Sequence, residues 1–313
     1  MFPADHADRL QRARLSLEGL SVGDAFGERF FVAPKIIMAF IQDRAMPKPP
    51  WSWTDDTEMA CGVVEVLERA GGLDADDLAR TFARRYLERP SRGYGAAAHT
   101  VLQEIGAGAD WRKSSAALFR GEGSKGNGAA MRVAPLGAYY ADDLAKVVEH
   151  ARAQAAITHS HPDGQAGAIA VAVAAAWAWN HRENPRGGRG TQMIDAVLEH
   201  TPAGATRDGL SRARELPERT AVTIAANALG SGVNVTSADT VPFAIWCAAR
   251  HLDDFAECLW NTVSGLGDRD TTCAMAGGIV ALATGHYGIP ATWLAAREAL
   301  FLALPADDEA TPA

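Results

Sequence analysis

Apolar side chains in this chain recur at helical spacing wherever the pattern can be tested, which leaves little room for a sheet. Leu144, Val147, Val148 and Ala151 stand at i, i+3, i+4 and i+7, as do Phe255, Cys258, Leu259 and Thr262, the period that lines one face of an α-helix. Strand-like alternation is hard to find anywhere. Further helices are expected over 58–70, 75–88, 95–105, 129–140, 163–180, 219–229, 239–250, 271–285 and 291–303, each rich in Ala and Leu with Gly or Pro nearby as punctuation. The longest apolar run, Ala166–Trp179, has 14 residues. It falls short of the ~20 needed to cross a bilayer and reads as a central, fully buried helix. The expected fold class is all-α: a compact single-domain orthogonal bundle of ten or more helices around that central one.

Glycine-rich joints at 88–95, 119–128 and 184–190 separate the helices without a long low-complexity linker, so residues 1–313 are expected to form one domain, with about 305–313 a frayed tail. Pro34–Pro50 and Gly204–Arg219 lack clear periodicity and are expected to be surface loops or lids. With 48% hydrophobic and 22% charged residues, the composition excludes wholesale disorder, collagen and coiled coil. The net charge of −8 has the wrong sign for a surface that neutralises phosphates, which argues against a nucleic-acid partner. Cys61, Cys247, Cys258 and Cys273 lie far apart in apolar stretches and form no CxxC pair, as expected of reduced, buried thiols. The first residues mix charges of both signs without an apolar signal region. The expectation is a cytoplasmic protein that does not associate with a membrane.

Four constellations carry chemistry. The first, Thr54-Asp55-Asp56-Thr57-Glu58, precedes an apolar helical run, and the second, Asp268-Arg269-Asp270-Thr271, precedes another. Each could be a helix cap. Together they supply four aspartates with Thr54 and Thr271, an all-oxygen set that suits hard cations and not zinc. A helix N-terminus is itself electropositive, so more carboxylates than capping requires is informative. With no fixed cationic partner in view, a pair of divalent ions is the economical way to keep all four ionised. The third, Ser124-Lys125-Gly126-Asn127-Gly128, is a glycine-rich turn read as leading into a helix, whose amides and dipole could hold phosphate, or a plain junction. The fourth, Thr158-His159-Ser160-His161, offers two histidines without a third ligand. His159 is expected to hydrogen-bond or stack at a pocket mouth, and His161 to be a solvent-facing loop residue.

In combination these segments carry a resemblance. LSLEGLSVGDAFGE (15–28), WTDDTEMA (53–60), SKGNGAAMRVAPLGAYY (124–140), THSHPDGQAGAIAVA (158–172), NVTSADTVPFAIWCA (234–248) and GLGDRDTTCAMAGGI (265–279) resemble, in order, the ADP-ribosylglycohydrolase family, including its dinitrogenase-reductase-activating glycohydrolase-like members. TDDT, GNGAAMR and DxDT together are far more specific than any one alone. The resemblance implies a compact all-α fold with a two-metal centre, Mg²⁺ or Mn²⁺, in a cleft that binds ADP-ribose. It implies Thr54, Asp55, Asp56, Asp268, Asp270 and Thr271 as metal ligands, with Asp55 also the general base and Asp56 also catalytic. Ser124, Gly126, Asn127 and Gly128 match the phosphate cradle, His159 a residue near the adenosine, and Glu28 the acid of a mobile N-terminal flap. Arg269, where a small or neutral residue is more usual, is expected to point outward. The implied reaction is metal-dependent hydrolysis of the bond linking ADP-ribose to an acceptor such as an arginine side chain. The implied partner is an ADP-ribosylated protein or an ADP-ribose derivative. The alternative is a catalytically silent, crystallin-like relative that only binds ADP-ribose.

Overall fold

In a computed structural model, which describes residues 2–184 and 188–301, the helical periodicity becomes sixteen α-helices among the described residues. The chain runs through α1 (His6–Glu28), α2 (Pro34–Gln42), α3 (Asp55–Ala70), α4 (Ala75–Glu88), α5 (Ala96–Gly106), α6 (Trp111–Gly121), α7 (Ala134–Tyr139) and α8 (Leu144–Ala156). It continues through α9 (Pro162–Asn180), α10 (Arg189–His200), α11 (Ala205–Glu215), α12 (Val222–Leu229), α13 (Ser237–Arg250), α14 (Phe255–Ser264), α15 (Arg269–Thr284) and α16 (Ala291–Ala296). The described residues hold no strand, only isolated bridges at Trp51–Arg297 and Gly126–Thr236. The fold is all-α and compact.

Helix α9 is buried along nearly its whole length, from Ala166 to Ala178, and packs against α7, α8, α10, α13 and α15. Alanine makes this possible: small side chains let neighbouring helices approach from every side while leaving little rotamer freedom to lose. The tightest contact in the molecule joins α1 to α15. Gly19, Gly23 and Gly27, four residues apart and so on one face, lie against the backbones of Gly277, Cys273 and Arg269 respectively. A Cβ on Gly23 would stand 2.1 Å from the Cys273 carbonyl oxygen, and one on Gly27 would stand 2.2 Å from that of Arg269. The two helices therefore run antiparallel with their backbones in contact, which brings the end of α1 beside the start of α15.

An aromatic block closes the base of the site-bearing end. Phe26 stacks on Trp293 at 4.6 Å between centroids and meets Trp260 edge-on at 5.1 Å, while Trp51 takes the amide-side bond to Ala296 O at 2.7 Å. The segment after α16 returns over α3, where Arg92 pairs with Glu298 at 2.7 Å and lies 3.5 Å from the Trp53 ring. All four cysteines are buried and unpaired, with the Cys61 and Cys247 thiols pushed up to about 12 by burial.

Several elements differ from the sequence expectation. Pro34–Pro50 is not a bare loop: α2 forms because Ile37 is buried and Phe40 reaches the Phe30 ring. In 204–219, α11 buries Thr206, Gly209, Leu210 and Ala213, a helical face whose small and polar members hide its period. Helices α1, α6 and α10 were not expected. The run 129–140 is turn up to Val133, and only Ala134–Tyr139 is helical. Helix α16 ends at Ala296 because the following residues pair with Trp51; the expected tail at 305–313 lies outside the described residues. No described helix is long and apolar enough to cross a membrane.

Gly23→Ala tests the α1–α15 contact. The helix-propensity gain of ~1 kcal/mol is outweighed by overpacking against a backbone carbonyl, which costs typically 1–3 kcal/mol or more. The urea midpoint should fall, whereas Gly95→Ala, with nothing within 4 Å of its Cβ position, should leave it nearly unchanged. Equal midpoints for the two variants would show that α1 can move away from α15.

Candidate active site

Five aspartates from three segments meet where α1, α3 and α15 converge. Asp24, near the C-terminal end of α1, is fully buried and holds the start of α3. Its carboxylate accepts from Thr54 N at 2.9 Å, Thr54 Oγ1 at 2.9 Å, Thr57 N at 3.1 Å and Thr57 Oγ1 at 2.5 Å. Thr54 is the N-cap of α3, its hydroxyl accepting from Asp56 N at a long 3.4 Å. Capping is thus real, but Thr54 and Asp24 perform it, which leaves Asp55 and Asp56 surplus to it. Asp55 N is held by Arg92 O at 2.7 Å, and its side chain keeps some exposure to solvent. Asp56 is buried: one carboxylate oxygen faces Thr271 Oγ1 at 3.4 Å, and Oδ2 has no hydrogen-bond partner.

Across the cleft, Asp268 is the N-cap of α15 yet makes no side-chain cap bond. It accepts instead from Asn127 Nδ2 at 2.7 Å. Asp270 lies in the first turn of α15, and its buried Oδ1 is also unpartnered. Burial and mutual repulsion raise the whole group. Asp24 is pushed up to about 6 by burial against its four hydrogen bonds. Asp55 is pushed up to about 7 by burial and by the Asp24 charge. Asp56 and Asp270 stand well above the ordinary carboxylate range, through burial first and then their acidic neighbours. Arg132 is the fixed cation absent from the sequence reading. It is fully buried, bonds Gln154 Oε1 at 2.8 Å and Thr158 Oγ1 at 3.0 Å, and draws Asp55 down without pairing with any carboxylate.

The glycine-rich segment stands on the Asp268 side. Ser124 Oγ accepts from Gly126 N at 3.2 Å, Asn127 N bonds Val235 O at 3.1 Å, and Ser237 Oγ bonds Gly126 O at 2.9 Å. Contrary to the sequence reading, Gly128 enters a turn and not a helix start, so backbone amides and no helix dipole are what this loop has to offer. His159 lies beneath it: a Cβ on Gly128 would stand 3.0 Å from the imidazole, and one on Gly126 would stand 3.1 Å from it. Thr158 Oγ1 accepts from Arg132 at 3.0 Å and shares a hydrogen bond with His159 Nδ1 at 2.7 Å, which orients the imidazole with Nε2 toward the loop. His161 is only partly exposed and caps α9 by accepting from Asp163 N at 3.0 Å, which corrects its reading as a free loop residue.

Glu28 is the last residue of α1, in a helix and not on a separate flap among the described residues. Half-buried, it is raised by burial and by Asp24, with Arg29 and Arg269 pulling the other way. Arg269 turns from the aspartates and lies 4.2 Å from the Phe31 ring. Asp24 is the functional residue that sequence reasoning missed; the signal available was its place four residues before Glu28, between Gly23 and Gly27 on the tightly packed face.

The donor set passes a chemical test for hard cations: every side chain is an oxygen donor, and two buried carboxylate oxygens have no partner. It is not a closed shell, since among the described residues no three His, Cys, Asp or Glu side chains already converge as metal ligands.

Residues 5–309 match the profile of the family described as ADP-ribosylglycohydrolase. The chain belongs to the ADP-ribosylglycohydrolase family. It is similar to ADP-ribosylhydrolase ARH3 of Bos taurus, 30% identical over 93% of this chain and 89% of that one. It is also similar to ADP-ribosylarginine hydrolase Tri1 of Serratia proteamaculans (strain 568), 24% identical over 92% and 75% respectively. A solved ADP-ribosylglycohydrolase-related protein complex superposes with a TM-score of 0.67, 25% identity and coverage of 93% and 94%. The protein is an ADP-ribosylhydrolase-family enzyme, and the family is generally metal-dependent.

His159 yields a pH prediction. Burial and the Arg132 charge hold it down to about 3, against ~6.5 in the unfolded chain. The unfolded state therefore binds the proton first, so stability is full above pH ~6.5 and falls on acidification toward pH 3, by at most ~1.4 kcal/mol per pH unit from this group. Urea midpoints at pH 7 and pH 5 should differ less in His159→Gln than in the parent. The carboxylates, common to both proteins, cancel in that comparison, so equal differences would contradict a buried neutral imidazole.

Proposed function

We propose that this protein removes ADP-ribose from a modified protein side chain, such as arginine, by hydrolysing the glycosidic bond at the distal ribose. The observation that carries this reading is the pair of buried, unpartnered oxygens on Asp56 and Asp270, whose charges act on each other at two helix starts beside a glycine-rich loop. Repulsion among five carboxylates makes such an arrangement costly without cations. Thr54, Asp55, Asp56, Asp268, Asp270 and Thr271 would hold a pair of divalent ions, Mg²⁺ or Mn²⁺. When bound, these would polarise the ribose hydroxyls and the attacking water.

The chain's own residues divide the remaining work. Amides of 124–128 and the imidazole of His159 hold the pyrophosphate and the adjoining nucleotide. Asp55, the more exposed of the TDDT pair, takes a proton from the water whose oxygen bonds to C1″. The bond from C1″ to the acceptor atom breaks as that atom gains a proton, which Glu28, the half-buried acid at the end of α1, supplies. Asp24 positions Asp55 and Asp56 by fixing the N-terminus of α3. A silent, binding-only role fits less well, because every acidic residue of the set is present and two of them carry unused oxygens.

Release of free ADP-ribose from mono-ADP-ribosylated arginine and serine peptides, with Mg²⁺, Mn²⁺ or chelator, tests the reading. Activity should require the ion and fall at least about a thousandfold in Asp56→Ala or Asp270→Ala, the factor corresponding to several kcal/mol of transition-state stabilisation. The ions should also raise the melting temperature of the parent and not of Asp270→Ala. Full turnover in either variant would sink the assignment, and ADP-ribose binding without release from any acceptor would favour the silent relative.

A further inference from the structure

Arg269 is a cation without a protein anion. Among the described residues it forms no ion pair, its side chain makes no hydrogen bond, and its Nε is buried without a partner. Asp268 and Asp270 flank it in sequence, yet the guanidinium lies over Phe31, 4.2 Å from the centroid, on a ring that is itself 47% exposed. A guanidinium resting on an aromatic face keeps its in-plane donors free for a carboxylate.

Its position relative to the nucleotide cradle decides what could reach it. Loop 124–128 grips Asp268 through Asn127, and Gly232 presses on the Asp268 Cβ from the same side. Arg269, one residue and so about 100° further round the helix, faces the end of α1, where Gly27 touches its carbonyl and Phe31 its side chain. The cleft thus has two shoulders: loop 124–128 with His159, and Glu28–Phe31 with Arg269. On the proposed hydrolase reading, on which this inference rests, the nucleotide occupies the first shoulder, so the acceptor departs over the second.

We propose that Arg269, supported by Phe31, selects the acceptor by binding a carboxylate side chain that flanks the modified residue of the substrate protein. Its charge is needed because the five neighbouring aspartates and Glu28 would otherwise repel an acidic flank. Arg269 is a specificity residue in this role: it touches the acceptor chain and not the bond that breaks.

The test compares two ADP-ribosylated arginine peptides, identical except for aspartate or lysine on either side of the modified residue, with the metal-loaded parent, Arg269→Gln and Arg269→Glu. Parent kcat/KM should favour the acidic peptide about tenfold, chiefly through KM. The preference should disappear in Arg269→Gln and reverse in Arg269→Glu, a change of sign that loss of packing on Phe31 cannot produce. An unchanged peptide ratio in Arg269→Glu would overturn the inference. So would an equal fall in calorimetric affinity for free ADP-ribose, which would place Arg269 on the nucleotide instead. If the parent binds ADP-ribose but releases it from neither these peptides nor the serine peptide, the hydrolase reading itself fails and takes this inference with it; release from the serine peptide alone overturns this inference and leaves that reading standing.

Discussion

Backbone contact between α1 and α15 is the constraint on which the rest of the site depends. Three glycines at four-residue spacing let the two helices meet with no side chain between them. Only that approach brings Asp24, near the C-terminal end of α1, close enough to influence Asp270 at the start of α15. A Cβ at any of the three would push the helices apart and open the cleft. Dispersion and burial along the glycine face therefore hold together a group of charges that would repel one another in isolation.

Asp24 then converts that packing into geometry. A buried carboxylate is expensive, and its four hydrogen bonds from the start of α3 are the compensation. Because Asp24 and Thr54 satisfy the helix N-terminus, Asp55 and Asp56 are released from capping and project toward Asp268 and Asp270. Asn127 performs a comparable service across the cleft, joining the glycine-rich loop to Asp268. The oxygen-rich centre and the loop are thereby one connected structure, and a ligand that moves either will be felt by the other.

Charge balance separates the two sides of the site. Arg132, fully buried, serves Gln154 and Thr158, and Thr158 in turn orients the His159 ring. Arg269 instead leaves the aspartates for Phe31. Neither guanidinium closes an ion pair with the cluster, so two buried carboxylate oxygens stay open to an added cation.

Much of this was legible in the chain itself. Helical period, the alanine-rich buried helix at 166–179, the surplus carboxylates of TDDT and DRDT, and the family resemblance all follow from local pattern, because side-chain spacing and composition are properties of the sequence. Helix α2 was hidden because apolar residues stand on its exposed side as well as its buried one, Ile36 and Met38 against Ile37, and α11 because its buried face is mostly small or polar. Asp24 was hidden as well: one aspartate in an apolar helix gives no sign of the two threonines and two amides it will bind thirty residues away. Which carboxylates cap and which stay unpartnered, where Arg269 turns, and how the His159 ring is oriented were decided only by the tertiary structure. Each is settled by what packs against the residue, and that depends on how closely α1 and α15 approach.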